Sequence, residues 1–152
     1  MITTILASDS HLPDINRSAG DFASMAIWNE AGRFDRFCSI TVLDGGNPIA
    51  AIILHNWHPE AGTIELSGAG SGRWQSRRVL REIFSTCFDV MGCQMVIMRN
   101  SARDDRTISN SRRLGFTGIL LPRMRGRDED EWLFTLTDDA WRSCKLYKVP
   151  AA

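Results

Sequence analysis

The sequence predicts a single α/β (α+β) domain over residues 1–152, with a mixed, largely antiparallel sheet of six or seven strands flanked by three or four helices. Three stretches carry that expectation. Residues 37–43 and 48–55 are β-branched runs on either side of Asp44-Gly45-Gly46-Asn47, a tight-hairpin signature because glycine accepts the positive φ such turns demand. Residues 62–99 read as strand, glycine-rich loop, basic helix and strand, an order that makes the two strands parallel. Residues 117–125 and 131–137, separated by the charged Gly126-Arg127-Asp128-Glu129-Asp130, read as a closing hairpin.

The remaining elements follow in chain order. Residues 14–30 have helical spacing, with Ile15, Phe22, Met25 and Ala26 expected to face inward and Ala31-Gly32 to stop the helix. After the first hairpin, the alternating run Thr63-Ile64-Glu65-Leu66-Ser67 leads into Gly68-Ala69-Gly70-Ser71-Gly72-Arg73, read as a loop whose backbone N–H groups can turn toward an anion. Across residues 75–91, Val79, Leu80, Ile83, Phe84, Cys87, Phe88 and Met91 recur at helical spacing, so that stripe must pack on a sheet. Gly92 stops this helix, residues 94–99 form a buried strand, and residues 104–114 form a helix that ends at Gly115.

Composition narrows the function classes. The chain has 152 residues, 43% hydrophobic and 24% charged, enough for a core without disulfides or metal. No apolar run approaches the length of a membrane-spanning helix, and the first residues lack a basic start and a long apolar stretch, so the expectation is a cytoplasmic protein with no membrane partner. Cys38, Cys87, Cys93 and Cys144 are scattered, without metal-ligand spacing, which predicts reduced thiols and no metal site.

Charge is zero overall but uneven. Between residues 73 and 127, twelve arginines stand against Glu82, Asp89, Asp104 and Asp105. The basic helix opens with Arg73, Arg77, Arg78 and Arg81, at the end where the helix dipole is itself positive and normally attracts acid. Something negative is expected opposite them, and arginine suits phosphate because its planar fork binds bidentately. A solvated arginine face is the plain alternative.

In this arrangement the chain resembles the coenzyme A-binding core of the GNAT family of N-acetyltransferases, in its N-terminal-acetyltransferase-like branch. The resemblance covers about residues 49–141. It rests on the loop-helix junction, on Ser109-Asn-Ser-Arg-Arg-Leu-Gly-Phe116, and on the ending Glu131-Trp-Leu-Phe-Thr-Leu136 followed by Thr137-Asp-Asp-Ala-Trp141. It implies that the two parallel strands splay apart and that acetyl-CoA (coenzyme A) lies in the gap. It further implies cofactor contacts from Leu66, Ser67, Gly70, Ser71, Gly72, Arg73, Trp74, Gln75, Ser76 and Arg77, and from Thr107 in the next helix. A backbone N–H at Leu66 or Ser67 is the implied oxyanion donor. The chain departs from the family pattern at Ala69, at Trp74, at Asp104 (where an asparagine is usual) and at Ser111, which stands where some members carry a tyrosine acid. Its one tyrosine, Tyr147, is in the tail.

An amine must lose a proton to attack a thioester, so a base is required. Glu65 is the first candidate, on the strand beside the implied thioester, against the plain alternative of an exposed cross-strand glutamate. His58 and His55 come next because imidazole titrates near neutrality. The combined expectation is acetyl transfer from acetyl-CoA directly to an amine of a small molecule, peptide or protein, with a homodimer left open. Two alternatives remain. One is a degenerate member of the fold that binds a nucleotide or protein partner without catalysis. The other is a nucleic-acid-binding module, disfavoured because no stacking aromatics interleave the arginines.

Overall fold

The computed structural model describes residues 1–145. Seven strands form one sheet: β1 (Ile2–Ala7), β2 (Phe37–Asp44), β3 (Asn47–His58), β4 (Thr63–Gly70), β5 (Met95–Ser101), β6 (Thr117–Leu121) and β7 (Glu131–Thr137), in the order β1-β2-β3-β4-β5-β7-β6. All neighbours are antiparallel except β4 and β5. Four helices accompany the sheet: α1 (Pro13–Trp28), α2 (Arg77–Ser85), α3 (Asp105–Arg113) and α4 (Asp138–Ser143). The predicted hairpins, parallel pair and helix order are all present. Tyr147 lies outside the described residues.

Strand alternation sorts side chains onto two faces. One face carries Ile40, Val42, Ile52, Leu54, Ile64, Leu66, Val96, Phe134 and Leu136, which pack with Val79, Ile83 and Phe84 of α2, Phe116 and Trp141 of α4 in the main core. Trp141 is the largest fully buried side chain, its ring 5.1 Å from that of Phe84. The other face carries Ala51 and Ile53 and is covered by Ala19 and Ala23 of α1, with Phe34 and Phe37 at the edge. This corrects the inward face expected of α1. Phe22, Met25 and Ala26 are exposed, and the buried residues are Asn16, Ala19, Gly20, Ala23 and Ser24. Small side chains let the helix backbone come close to the sheet, and Asn16 is buried with hydrogen bonds to the Phe37 carbonyl and to Ser39.

Three boundaries differ from expectation for local reasons. The helix read over residues 75–91 begins later, because Ser76 is its N-cap and accepts from the Val79 N–H at 3.2 Å. At its far end the Thr86 hydroxyl donates to the Glu82 carbonyl, and the chain widens into a π-helical turn (Thr86–Val90) closed by the Met91 N–H on the Thr86 carbonyl. The glycine loop is also shorter. Gly68 and Gly70 pair with Ile52 and Ala50 as part of β4, so the turn itself falls on Ser71 and Gly72, the latter at φ +71°. Gly70 lacks a side chain for a packing reason: a Cβ there would lie 2.5 Å from the Ala50 Cβ and 2.8 Å from the Trp74 indole.

Among the described residues no helix is long and apolar enough to cross a membrane. All four cysteines are free thiols, and burial pushes the thiol of Cys87 far above its ordinary range.

Candidate functional site

The parallel strands β4 and β5 stay together for three residue pairs only, Thr63 with Met95, Ile64 with Val96 and Glu65 with Ile97. Beyond that point β4 is paired on its β3 side alone, from Leu66 to Gly70, and β5 on its β7 side alone, from Met98 to Ser101. The strands therefore part in a fork, and the facing edges present backbone N–H and C=O groups without a strand to receive them. Leu66 and Ser67 are the first two β4 residues past the fork point.

Glu65 marks the fork, and its side chain is only 12% exposed, unlike a solvated cross-strand glutamate. Arg99 of β5 reaches back across the opening and places Nε 2.9 Å from Glu65 Oε1. Its Nη1 donates to Glu131 Oε2 at 3.1 Å, and Glu131 Oε1 in turn accepts from Arg125 Nη1 at 3.1 Å. Glu129 extends the chain by pairing with both Arg125 and Arg103. Three of the twelve arginines counted in the sequence, Arg99, Arg103 and Arg125, are thus paired with Glu129 and Glu131 of the acidic run. That outcome depends on β5 and β7 lying side by side, which composition does not reveal.

On its β3 side, Glu65 meets His55, its cross-strand partner, with Nε2 3.1 Å from Oε2. The same Nε2 lies 2.8 Å from Ser67 Oγ. Because a carboxylate can only accept, Nε2 carries the ring proton. Burial holds the imidazole below its ordinary value, with Glu65 pulling in the opposite direction, so His55 is neutral near pH 7. Ser67, His55 and Glu65 do not form a nucleophilic relay, which places serine and carboxylate on opposite ring nitrogens. Phe34 walls this corner, its ring 5.0 Å from that of His55, and Trp28 stands 5.2 Å from Phe34.

His58 does not join the cluster. A bulge at Asn56 and Trp57 interrupts the β3–β4 register, and His58 is exposed opposite Thr63, at the closed end of the fork. Ser111 is 2% exposed inside α3. Thr107 serves as part of a helix cap: Asp104 accepts from the Thr107 N–H at 3.1 Å and from its hydroxyl at 2.6 Å. Aspartate is among the best N-cap residues, which gives Asp104 a structural role at the start of α3. Sequence reasoning missed Arg99 and Glu131 as site residues, and no local spacing could have found them.

At the other end of β4, the turn from Ser71 leads to α2. Ser71 N–H bonds back to the Ile49 carbonyl, and Ser76 satisfies the Val79 N–H. The N–H groups of Arg77 and Arg78, at the first two helical positions, have no acceptor within the helix by its geometry. Arg78 donates to the Ile2 carbonyl and faces Glu82. Arg73 and Arg77 are exposed, and among the described residues neither has a carboxylate at ion-pair distance. Gln75 is likewise exposed.

Whether acetyl-CoA suits these residues can be judged from the donors present. Free strand edges match the amides of a pantetheine arm, Gly68 and Gly70 leave one side of β4 without side chains, and unpaired arginines at a helix start match a pyrophosphate. Trp74 is the one intruder, with its indole over Gly70. The residues fit the group, provided its path leaves that indole in place.

No family model matches the sequence, and no curated protein matches it. Solved structures do. Mutant forms of the spermidine/spermine N-acetyltransferase SpeG from Vibrio cholerae align at TM-score 0.70 and 14% identity, over 95% of this chain and 100% of that one. A GCN5-related N-acetyltransferase from Brucella melitensis aligns at TM-score 0.69 and 16% identity, over 97% and 79%. The ribosomal-protein-S5-alanine acetyltransferase from Vibrio fischeri aligns at TM-score 0.67 and 14% identity, over 92% and 94%. Against two further acetyltransferase structures the chain spans 63% and 66% of their length. At such identities what is held in common is the path of the backbone, and that path, with its forked parallel pair, is the GNAT acetyltransferase fold.

Proposed function

We propose that this chain is an acyl-CoA-dependent N-acetyltransferase that passes acetyl from acetyl-CoA directly to an amine, without a covalent enzyme intermediate. The observation that carries the reading is the fork after Glu65 and Ile97, because it places unpaired backbone, a buried carboxylate and a basic helix start along one strand. Leu66 and Ser67 offer backbone donors at the fork, and the stretch Gly70, Ser71, Gly72, Arg73, Trp74, Gln75, Ser76 and Arg77 offers the phosphate end, with charge from Arg73 and Arg77. When bound, acetyl-CoA supplies the acetyl group as a thioester that is exchanged for an amide as the thiol leaves.

The chain's own task is to take a proton from the acceptor and hold the acceptor in line. Glu65 is the base, acting directly or through one water. Arg99 and His55 fix both of its oxygens, so the carboxylate cannot swing away. The neutral His55 holds its proton toward Glu65 and is a positioning group. Phe34 and Trp28 give the acceptor an apolar wall.

One observation favours a second reading, a binding module that catalyses nothing: the Trp74 indole occupies the surface over Gly70. Calorimetric titration with acetyl-CoA, with desulfo-CoA and ADP as controls, followed by a turnover screen over amines and peptides, separates the two. Binding with turnover supports the enzyme. Binding of ADP alone, without turnover, supports the module. Absence of any nucleotide binding refutes the enzyme and the nucleotide-binding form of the module, and leaves a module for a protein partner.

A further inference from the structure

The charges at the fork say what kind of amine can be used, an inference that rests on the acetyltransferase reading above. Glu65 and Glu131 contribute two negative charges, Arg99 and Arg125 two positive ones, and His55 is neutral. Glu129 and Arg103 extend the chain without changing the balance. A carboxylate already held by a guanidinium at 2.9 Å gives little to a second cation, and an ammonium approaching Glu65 must displace Arg99 or meet its charge. The fork is therefore a poor receptor for a cationic amine, although it contains two buried carboxylates.

We propose that Arg99 determines acceptor specificity by neutralising Glu65, confining the enzyme to amines with an appreciable free-base fraction near neutral pH, the α-amines of amino acids and peptides, and excluding polyamines and lysine side chains. Nitrogen attacks as the free base. Its bond to the acyl carbon forms, the carbon–sulfur bond breaks with its electron pair on sulfur, and Glu65 takes the proton shed by nitrogen and passes it to that thiolate. At pH 7 an amine of pKa about 10.4 is free base in roughly one molecule in 2,500, while an α-amine of pKa about 7.7–8.0 is free base in roughly one in six to one in eleven. A fork with net negative charge could collect the ammonium first and deprotonate it in place. A neutral fork must draw on the free base present in solution.

The test compares kcat/KM for a dipeptide amide and for spermidine at pH 7, in the wild type, Arg99→Gln and Arg99→Lys. The wild type is expected to prefer the dipeptide amide by about 100-fold or more, the scale set by the free-base fractions. Arg99→Gln, which leaves the fork with an uncompensated carboxylate, is expected to cut that preference about tenfold or more, and Arg99→Lys to keep it within about threefold. Calorimetric titration of the protein alone with spermidine gives a readout independent of turnover: no binding to the wild type, and binding to Arg99→Gln. If wild type uses spermidine as well as the dipeptide amide, the inference is overturned while the acetyltransferase reading stands. An unchanged preference in a folded Arg99→Gln also overturns it. If no amine is acetylated and acetyl-CoA does not bind, the acetyltransferase reading itself fails.

Discussion

At the fork, Glu65, Arg99, Glu131 and Arg125 cancel one another in an alternating chain of contacts between 2.9 and 3.1 Å, whereas at the approach to α2 and its first residue, Arg73 and Arg77 lie exposed with no carboxylate beside them among the described residues. Both regions looked alike in the sequence, as arginines in a basic half of the chain. The difference teaches where to look for a ligand's charge. Where the protein has supplied its own counter-ions, arginine orients a carboxylate. Where it has not, arginine is left able to meet an anion, as the proposed function requires of Arg73 and Arg77, and the positive end of α2 acts in the same direction.

The comparison breaks most visibly at Glu65. Under the proposed function, Glu65→Gln keeps the hydrogen bonding to Arg99 in shape but removes the base, and turnover should fall by about 10²–10⁴ while acetyl-CoA affinity stays nearly unchanged. The measurement is steady-state kinetics on an acceptor found by screening, beside a calorimetric titration. Retention of more than about half the wild-type turnover would remove Glu65 from the mechanism.

The opposite end should respond in the opposite way. Replacing Arg73 and Arg77 together by Ala should weaken acetyl-CoA binding by about 1–3 kcal/mol, the range for charge-assisted hydrogen bonds. Unfolding stability should stay within about 0.5 kcal/mol, since neither side chain holds the fold. Unchanged affinity places the phosphates elsewhere.

What the sequence made legible follows the range of the interactions. The hairpin of β2 and β3, the parallel pair and α2 rest on local alternation and helical spacing, and each appeared within a few residues of its expected place. β1 was not read, because Ile2–Ala7 is an edge strand whose half-buried pattern gives no clean alternation. Gly68 and Gly70 read as a loop because local sequence cannot show that Trp74 and the Ala50 Cβ forbid a side chain at Gly70. In the candidate site, Glu65 was singled out by its position on a strand, and Ser76 falls at the helix start the arginines marked. Arg99, Glu131 and the His55 contact were not legible, since they join β3, β4, β5 and β7 through pairings between distant parts of the chain. His58 was ranked with His55 by residue type and by its place at the end of the neighbouring strand, and the bulge at Asn56 and Trp57 separates them.

A smaller effect sharpens the view of α2 as a helix whose fold and ligand chemistry are divided between neighbours. Ser76 caps the helix, while Arg73 and Arg77 do not hold it. Ser76→Ala should therefore cost about 1 kcal/mol of unfolding free energy, measured by urea denaturation, where the double arginine variant costs nothing comparable. Equal stability in Ser76→Ala would mean that the Val79 N–H finds another acceptor.

The smallest expected effect is a slope that tests whether the fork is neutral for the reason given. Burial lowers the His55 imidazole below its ordinary value of 6.5, and the opposing pull of Glu65 is the lesser cause. In the folded protein His55 thus takes up its proton at lower pH than in the unfolded chain. Between the two values the unfolded state binds more protons, so stability rises with pH there. The contribution is fully present above about pH 6.5 and is lost as pH falls through the folded value. His55→Gln keeps a donor toward Glu65 and Ser67 but cannot titrate. Urea unfolding from pH 7.5 down to pH 5 should show the wild type losing stability more steeply than His55→Gln below about pH 6.5, by the slope of at most one proton, with the curves parallel above it. If the variant instead loses stability more steeply as pH falls, the attraction to Glu65 outweighs burial, His55 takes up its proton above its ordinary value, and the fork gains positive charge that the balance of Glu65, Glu131, Arg99 and Arg125 leaves out.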